Sequence, residues 1–288
     1  AAGSGPVYLL GSITHNDHVI RQLEDLGAVT VHAPEEVPEG ARVLIRAHGE
    51  PDRVYAALAA RGCTVLDATC PNVAHIHDVV RQAEAKGRIP VVVGDAAHPE
   101  IVGIAGCTEG GIVVSGAEEL EELLRKRPEL TARPLTFVSQ TTAIRANWEK
   151  CVEAAKKVCT NAEFFDTICG ATSKRQSEAL ELARRCDAVI ILGDPKSSNT
   201  RRLTQLCESC CPLVLQTEGG DKLDRERFRG VKTLGITAGA STPEWIIKEV
   251  YNKMSDEIME IEQSFAEMLE ESFKTLNTGD KVTGTVVA

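Results

Sequence analysis

Two cysteines in this sequence sit in matching surroundings, Asp67-Ala-Thr-Cys70 and Asp166-Thr-Ile-Cys169, 99 residues apart. Gly94-Asp95 and Gly193-Asp194 repeat at the same offset, as do Thr142 and Ser241. Each cysteine also precedes a polar loop by the same distance: 28 residues separate Cys70 from His98 and Cys169 from Ser197. Thiolates from equivalent positions of repeated units can converge on a soft metal, and three of them would hold three irons of a [4Fe–4S] cluster, leaving the fourth open to a ligand. The loops carry complementary chemistry. Ser197-Ser198-Asn199 offers hydroxyls, an amide and free N–H groups at the start of an expected helix, which suits a phosphate. His48-Gly49, His98-Pro99-Glu100, Gln140-Thr141-Thr142 and Ser241 likewise follow apolar runs.

The elements that must position these residues alternate in type. Short apolar runs at residues 90–94, 135–140, 188–193 and 233–237 are separated by helical stretches such as 117–126, 177–185 and 200–207. That alternation predicts an α/β fold of small parallel sheets covered by helices, with the polar loops beyond the carboxyl ends of the strands. The 99-residue repeat predicts homologous units over residues 70–165 and 166–254. A third loop at Thr14-His15-Asn16 and a strand at 42–46 that ends in Ala47-His48-Gly49 predict another unit over 1–69. By the 28-residue spacing its cysteine falls at about −13, upstream of the chain, so this unit is expected to be incomplete. Ala1 rather than Met opens the chain, and both ends are expected to be cut. Residues 255–275 read as a charged helical linker, and 276–288 as the start of a further domain.

Composition narrows the function. Lys+Arg 32 against Asp+Glu 42 gives a net charge of −10, which repels nucleic acid and anionic membrane as a whole. An anionic ligand must be held by local donors. The apolar runs are too short to span a bilayer. Ten irregularly spaced cysteines do not resemble a secreted disulfide scaffold and fit a cytoplasmic protein.

Taken in order, His15-Asn16, Ala47-His48-Gly49, Asp67-Ala-Thr-Cys70-Pro71, Ala97-His98-Pro99-Glu100, Gln140-Thr141-Thr142, Ser197-Ser198-Asn199 and Thr237-Ala-Gly-Ala-Ser241 resemble the signature of the 4-hydroxy-3-methylbut-2-enyl diphosphate reductase family. The resemblance runs from about Gly5 to about Val250 and implies a trefoil of three α/β units around a central [4Fe–4S] cluster. It implies Cys70 and Cys169 as two cluster ligands, with the third cysteine upstream of residue 1. Glu100, Thr141 and His98 would form the catalytic group, Glu100 delivering protons and Thr141 orienting the substrate hydroxyl. His15, His48, His98, Thr141, Ser197, Ser198, Asn199 and Ser241 would hold an allylic diphosphate. Ferredoxin or flavodoxin would supply electrons. Thr278-Gly-Asp-Lys-Val-Thr-Gly-Thr-Val-Val287 resembles the first strand of an S1-type RNA-binding domain, so RNA is an expected partner only through that fused module.

Plainer roles compete at several positions. Cys63, Cys107, Cys151, Cys159, Cys186 and the Cys207-Glu-Ser-Cys210-Cys211 cluster read as structural, since no second pair stands at zinc spacing. His18, His32 and His75 read as surface or packing residues, and His77 as packing or as support for Cys70. Glu100, Thr141, Thr142 and Ser241 are also candidates for helix caps. Against the reductase stands a non-catalytic protein that binds an allylic diphosphate or, through the S1 module, RNA.

Overall fold

The computed structural model describes residues 5–13 and 17–255. His15 and its loop, the expected linker beyond Ser255 and the S1-like segment lie outside the described residues.

Among the described residues, three separate parallel sheets build the fold. The first contains β1 (Val7–Leu10), β2 (Val29–Val31), β3 (Arg42–Ile45) and β4 (Thr64–Asp67) in the order β2-β1-β3-β4, with α1 (Asp17–Asp25) and α2 (Asp52–Ala60) in its crossovers. The second follows α3 (Pro71–Ala85). It contains β5 (Ile89–Val93), β6 (Ile112–Val114), β7 (Leu135–Ser139) and β8 (Ala162–Phe164) in the order β6-β5-β7-β8, crossed by α4 (Pro99–Ala105), α5 (Ala117–Lys126) and α6 (Arg145–Val158). The third follows α7 (Gly170–Arg185) and has three strands, β9 (Ala188–Leu192), β10 (Leu213–Thr217) and β11 (Leu234–Ala238), in the order β10-β9-β11. Its helices are α8 (Ser198–Glu208) and α9 (Glu244–Ser255). β1, β5 and β9 thus occupy the same inner position, each between the next two strands of its sheet.

Burial on both faces explains the strand sequences. β5 (Ile-Pro-Val-Val-Val) and β9 (Ala-Val-Ile-Ile-Leu) are continuous apolar runs rather than alternating ones, as a covered parallel strand requires. Separate clusters cover the two faces: Val91, Val93 and Phe137 pack toward Trp148 of α6, and Val92 and Val138 toward Ile76 and Ile104 of α3 and α4. Ile190 and Leu192 pack with Ile247 and Val250, and Val189 and Ile191 with Ala183 and Leu203. Polar atoms inside β7 are paired. Thr136 Oγ1 accepts from Arg88 Nε at 2.8 Å, and Ser139 N donates to Thr167 Oγ1 at 2.8 Å.

Local chemistry moves several boundaries from the expected ones. β5 and β9 stop at Val93 and Leu192, before the glycines; at β9 the reason is that Gly193 has φ +141° and cannot continue a strand. α8 starts at Ser198 rather than 200, since Ser197 is its N-cap and accepts from Thr200 N. α7 starts at Gly170 rather than 177, with Cys169 at its N-cap. The four considered capping roles are corrected. α6 begins at Arg145 behind Ile144, so Thr141 and Thr142 do not cap it, and Ser241 stands three residues before α9. Glu100 lies in the first turn of α4, but His98 caps that helix.

Candidate functional site

Glu100 anchors the site. Its side chain is buried in the first turn of α4, yet both carboxyl oxygens reach the next loop: Thr141 N donates to Oε1 at 2.6 Å and Thr141 Oγ1 to Oε2 at 2.7 Å. Burial raises the Glu100 pKa above the usual carboxylate range, and the two Thr141 hydrogen bonds oppose that rise. Burial thus weights this carboxyl toward its protonated form, and it stays hydrogen-bonded to the Thr141 hydroxyl. Pro99 at the first helical position and His98 at the N-cap set this geometry, with His98 Nδ1 accepting from Glu100 N at 3.2 Å.

His48 meets this group from the first sheet. Its ring stands edge-on to His98, centroids 5.2 Å apart. A glycine at 103 makes this approach possible, because a Cβ there would lie 3.3 Å from His48 O and 3.4 Å from Gly49 O. Gly49 has φ +69°, and a Cβ on it would come within 2.8 Å of His77 Cε1. Gly49→Ala is expected to cost about 1–3 kcal/mol, combining left-handed strain with displacement of the buried His77 ring. Urea denaturation checks this; an unchanged midpoint would contradict the tight turn.

The third sheet brings the Ser197-Ser198-Asn199 loop against Gln140-Thr141-Thr142. Thr142 Oγ1 and Ser198 Oγ are 2.9 Å apart, and Gln140 Nε2 donates to Ser198 Oγ at 3.4 Å. Ser197, Ser198 and Asn199 are all buried, and among the described residues neither Nδ2 nor Oδ1 of Asn199 has a hydrogen-bond partner. Thr200 Oγ1 is also unpartnered and fully buried. Buried polar atoms at a helix N-terminus with their bonding capacity unspent suit a polar, anionic ligand. Ser241 is exposed on the loop after β11, whose Gly239 N donates to Leu192 O at 2.8 Å and whose Thr242 Oγ1 donates to the same carbonyl at 2.9 Å.

Cys70 and Cys169 occupy equivalent positions. Each is the N-cap of its helix, with φ −57° and ψ 134° for Cys70 and φ −61° and ψ 130° for Cys169. Each amide donates at 3.0 Å to a carbonyl in the loop after the third-ranked strand of its sheet, Cys70 N to Ala47 O and Cys169 N to Thr141 O. Asn72, in the first turn of α3, donates from Nδ2 to Cys169 Sγ at 3.4 Å. The Cys169 sulfur thus lies against the helix end that Cys70 caps. Two thiols gathered this way fit a thiolate-ligated cluster as two of its ligands. Among the described residues, no group of three or more His, Cys, Asp or Glu side chains is placed to hold a metal ion.

Other expected positions fall away from this group. Burial pushes the thiols of Cys107 and Cys207 up to about 12 and that of Cys151 to about 11, which makes them poor ligands and nucleophiles. His32 and His75 are exposed. His77 is buried behind Gly49, with its pKa lowered by burial, on a cleft of about 360 Å³ that also includes Asp52, Tyr55, Asp67, Thr69 and Arg81. The carboxylates Asp52 and Asp67 are occupied there by Arg81 and by Thr69 and Tyr55. Gln140, Thr142, Thr200 and Asn72 join the site without having been singled out as site residues. For Gln140 and Thr142 the signal was their place beside Thr141, whereas nothing in the sequence pairs Asn72 with position 169.

The family model described as LytB protein matches residues 1–255. A curated relative from Caldanaerobacter subterraneus subsp. tengcongensis, named 4-hydroxy-3-methylbut-2-enyl diphosphate reductase, is 37% identical over 86% of this chain and 85% of its own length. One of the same name from Aquifex aeolicus is 38% identical over 88% of this chain and 86% of its own. A solved structure described as (E)-4-hydroxy-3-methyl-but-2-enyl diphosphate reductase, the terminal enzyme of the non-mevalonate pathway, is 38% identical, with a TM-score of 0.62 over 88% of this chain and 90% of that one. The structure of the Plasmodium falciparum reductase superposes with a TM-score of 0.82 at 22% identity, covering 94% of this chain and 90% of that chain, and shares the fold.

Proposed function

Since this chain belongs to the LytB protein family, we propose that it reduces 4-hydroxy-3-methylbut-2-enyl diphosphate to isopentenyl and dimethylallyl diphosphates, the last step of the non-mevalonate route. The observation that carries this reading is the Glu100–Thr141 pair next to His98, whose ring His48 meets edge-on, together with the buried Asn199 carboxamide that has no partner among the described residues. Cys70 and Cys169 would hold an iron–sulfur cluster, with a third cysteine from upstream of residue 1, where the repeat spacing puts one. When bound, such a cluster supplies single electrons and, at an iron without a protein ligand, a Lewis acid.

This chain's own residues account for the rest. Asn199, Ser197, Ser198 and the α8 N-terminus hold the diphosphate with neutral donors, joined by His48, His98, Ser241 and His15. Thr141 orients the substrate hydroxyl. Glu100, protonated, donates through Thr141 Oγ1 to the departing oxygen, because hydroxide leaves poorly and water leaves well. Two electrons and two protons convert the allylic alcohol to the alkene and one water. The electrons come singly from ferredoxin or flavodoxin, and the protein works in the cytoplasm. Units over 1–69, 70–165 and 166–254 each contribute a loop. A fused S1 module beginning near 276 would bind RNA.

The test is anaerobic incubation of the protein, including its upstream residues, with the allylic diphosphate and a reduced one-electron donor. Isopentenyl and dimethylallyl diphosphates are the expected products; binding without product would favour the non-catalytic diphosphate-binding alternative. Asn199→Asp should raise KM by roughly a hundredfold while circular dichroism stays unchanged. Two like charges about 4 Å apart cost about 4 kcal/mol at an effective dielectric constant of 20, and protonation of the new carboxyl relieves part of that. An unchanged KM would remove Asn199 from the phosphate site.

A further inference from the structure

We propose that Asn72 sets the reduction potential of the cluster held by Cys70 and Cys169, by donating its side-chain amide to the Cys169 sulfur. The inference rests on the cluster reading above and assigns a role to a residue outside the ligand and substrate sets.

Asn72 stands two residues beyond Cys70, in the first turn of α3, and its Nδ2 lies 3.4 Å from Cys169 Sγ at the cap of α7. The contact joins residues 97 apart in sequence and crosses from one sheet's helix to the next. The backbone fixes both ends of this bond. Cys70 N is held by Ala47 O and Cys169 N by Thr141 O, and Ala74 N and Ser173 N close the first turns onto the carbonyls of Cys70 and Cys169. Asn72 is exposed on its helix, so core packing does not dictate an amide there. Its position between the two sulfur-bearing caps gives the amide an electrostatic role.

The sign follows from charge. Reduction adds an electron to the cluster and its thiolates, making the sulfur a stronger hydrogen-bond acceptor. A donor to that sulfur therefore stabilises the reduced form more than the oxidised form and raises the potential. An apolar side chain at 72 loses this preference. A carboxylate loses the donor and adds negative charge, and so disfavours reduction further.

The experiment is an anaerobic redox titration, followed by electron paramagnetic resonance without substrate, on the iron-loaded protein with its upstream residues. Asn72→Leu, Asn72→Asp and Asn72→Gln are compared with the parent at matched iron and sulfide content. The one-electron equilibrium should shift about tenfold toward the oxidised form in Asn72→Leu, a potential about 59 mV lower. Asn72→Asp should shift further, and Asn72→Gln, which keeps a donor, should stay nearer the parent than Asn72→Leu. Equal potentials in the parent and Asn72→Leu would overturn the proposal, as would failure of Asn72→Leu alone to load iron, which would make Asn72 an assembly residue. A parent protein that binds no iron would remove the cluster reading itself, and this inference with it.

Discussion

Glu100→Gln should lower turnover by roughly 10²- to 10⁴-fold, the range expected when a positioned proton donor is lost, with KM for the allylic diphosphate little changed. Gln is nearly isosteric. Its carbonyl oxygen can still accept from Thr141 N, as Glu100 Oε1 does at 2.6 Å, and the Thr141 hydroxyl can rotate to accept from the new amide. The loss would therefore report on proton supply rather than on the loop's position. Stability should respond to pH in the same sense as activity, since both depend on a protonated Glu100. Burial raises the folded-state pKa of Glu100, so its contribution is fully present below the unfolded-state value and is lost as pH rises through the folded one. Because Gln does not titrate, the variant should gain stability relative to the parent as pH climbs through that window. Steady-state kinetics and urea melts at several pH values check both parts; near-normal turnover would take Glu100 out of the mechanism.

The second large effect is expected at Cys169. Cys169→Ser should abolish cluster retention and reduce turnover by more than about a hundredfold, since loss of even an outer hydrogen-bonding partner of a metal ligand costs 10–100-fold. Serine is nearly the same size, and Cys169 is half-buried at a helix cap rather than in the core. Stability of the metal-free chain should stay within about 0.5 kcal/mol. Iron analysis, turnover and urea denaturation separate the two contributions. Full iron content in Cys169→Ser would show that the thiol is not a ligand. Cys207→Ser is the control: its thiol is fully buried against Ala179 O, so it should lower stability and leave iron content unchanged.

Much of this arrangement was legible because repeated units repeat their chemistry. The 99-residue offset marked Cys70 and Cys169, and both prove to be helix N-caps with nearly identical backbone angles. Continuous apolar runs revealed β5, β7 and β9, because strands covered on both faces need no polar alternation. Strands such as β2, β6 and β8, each three residues long, left no such trace. Helix starts were read late at α7 and α8, where the cap residues Cys169 and Ser197 are themselves site residues. Contacts between units were hidden for another reason. Asn72 to Cys169, Gln140 to Ser198, and His48 against His98 depend on how three sheets lean together, and no local periodicity encodes that.

Proximity of the two sulfur-bearing caps to one group of buried donors is what the proposed chemistry depends on. Its most direct test is anaerobic iron and sulfide determination on the protein carrying the proposed third cysteine, read together with electron paramagnetic resonance of the reduced form. About four irons and four sulfides per chain are expected, falling to near zero in the Cys70→Ser, Cys169→Ser double variant. An iron-free parent, or a double variant that keeps its full iron content, would contradict the account.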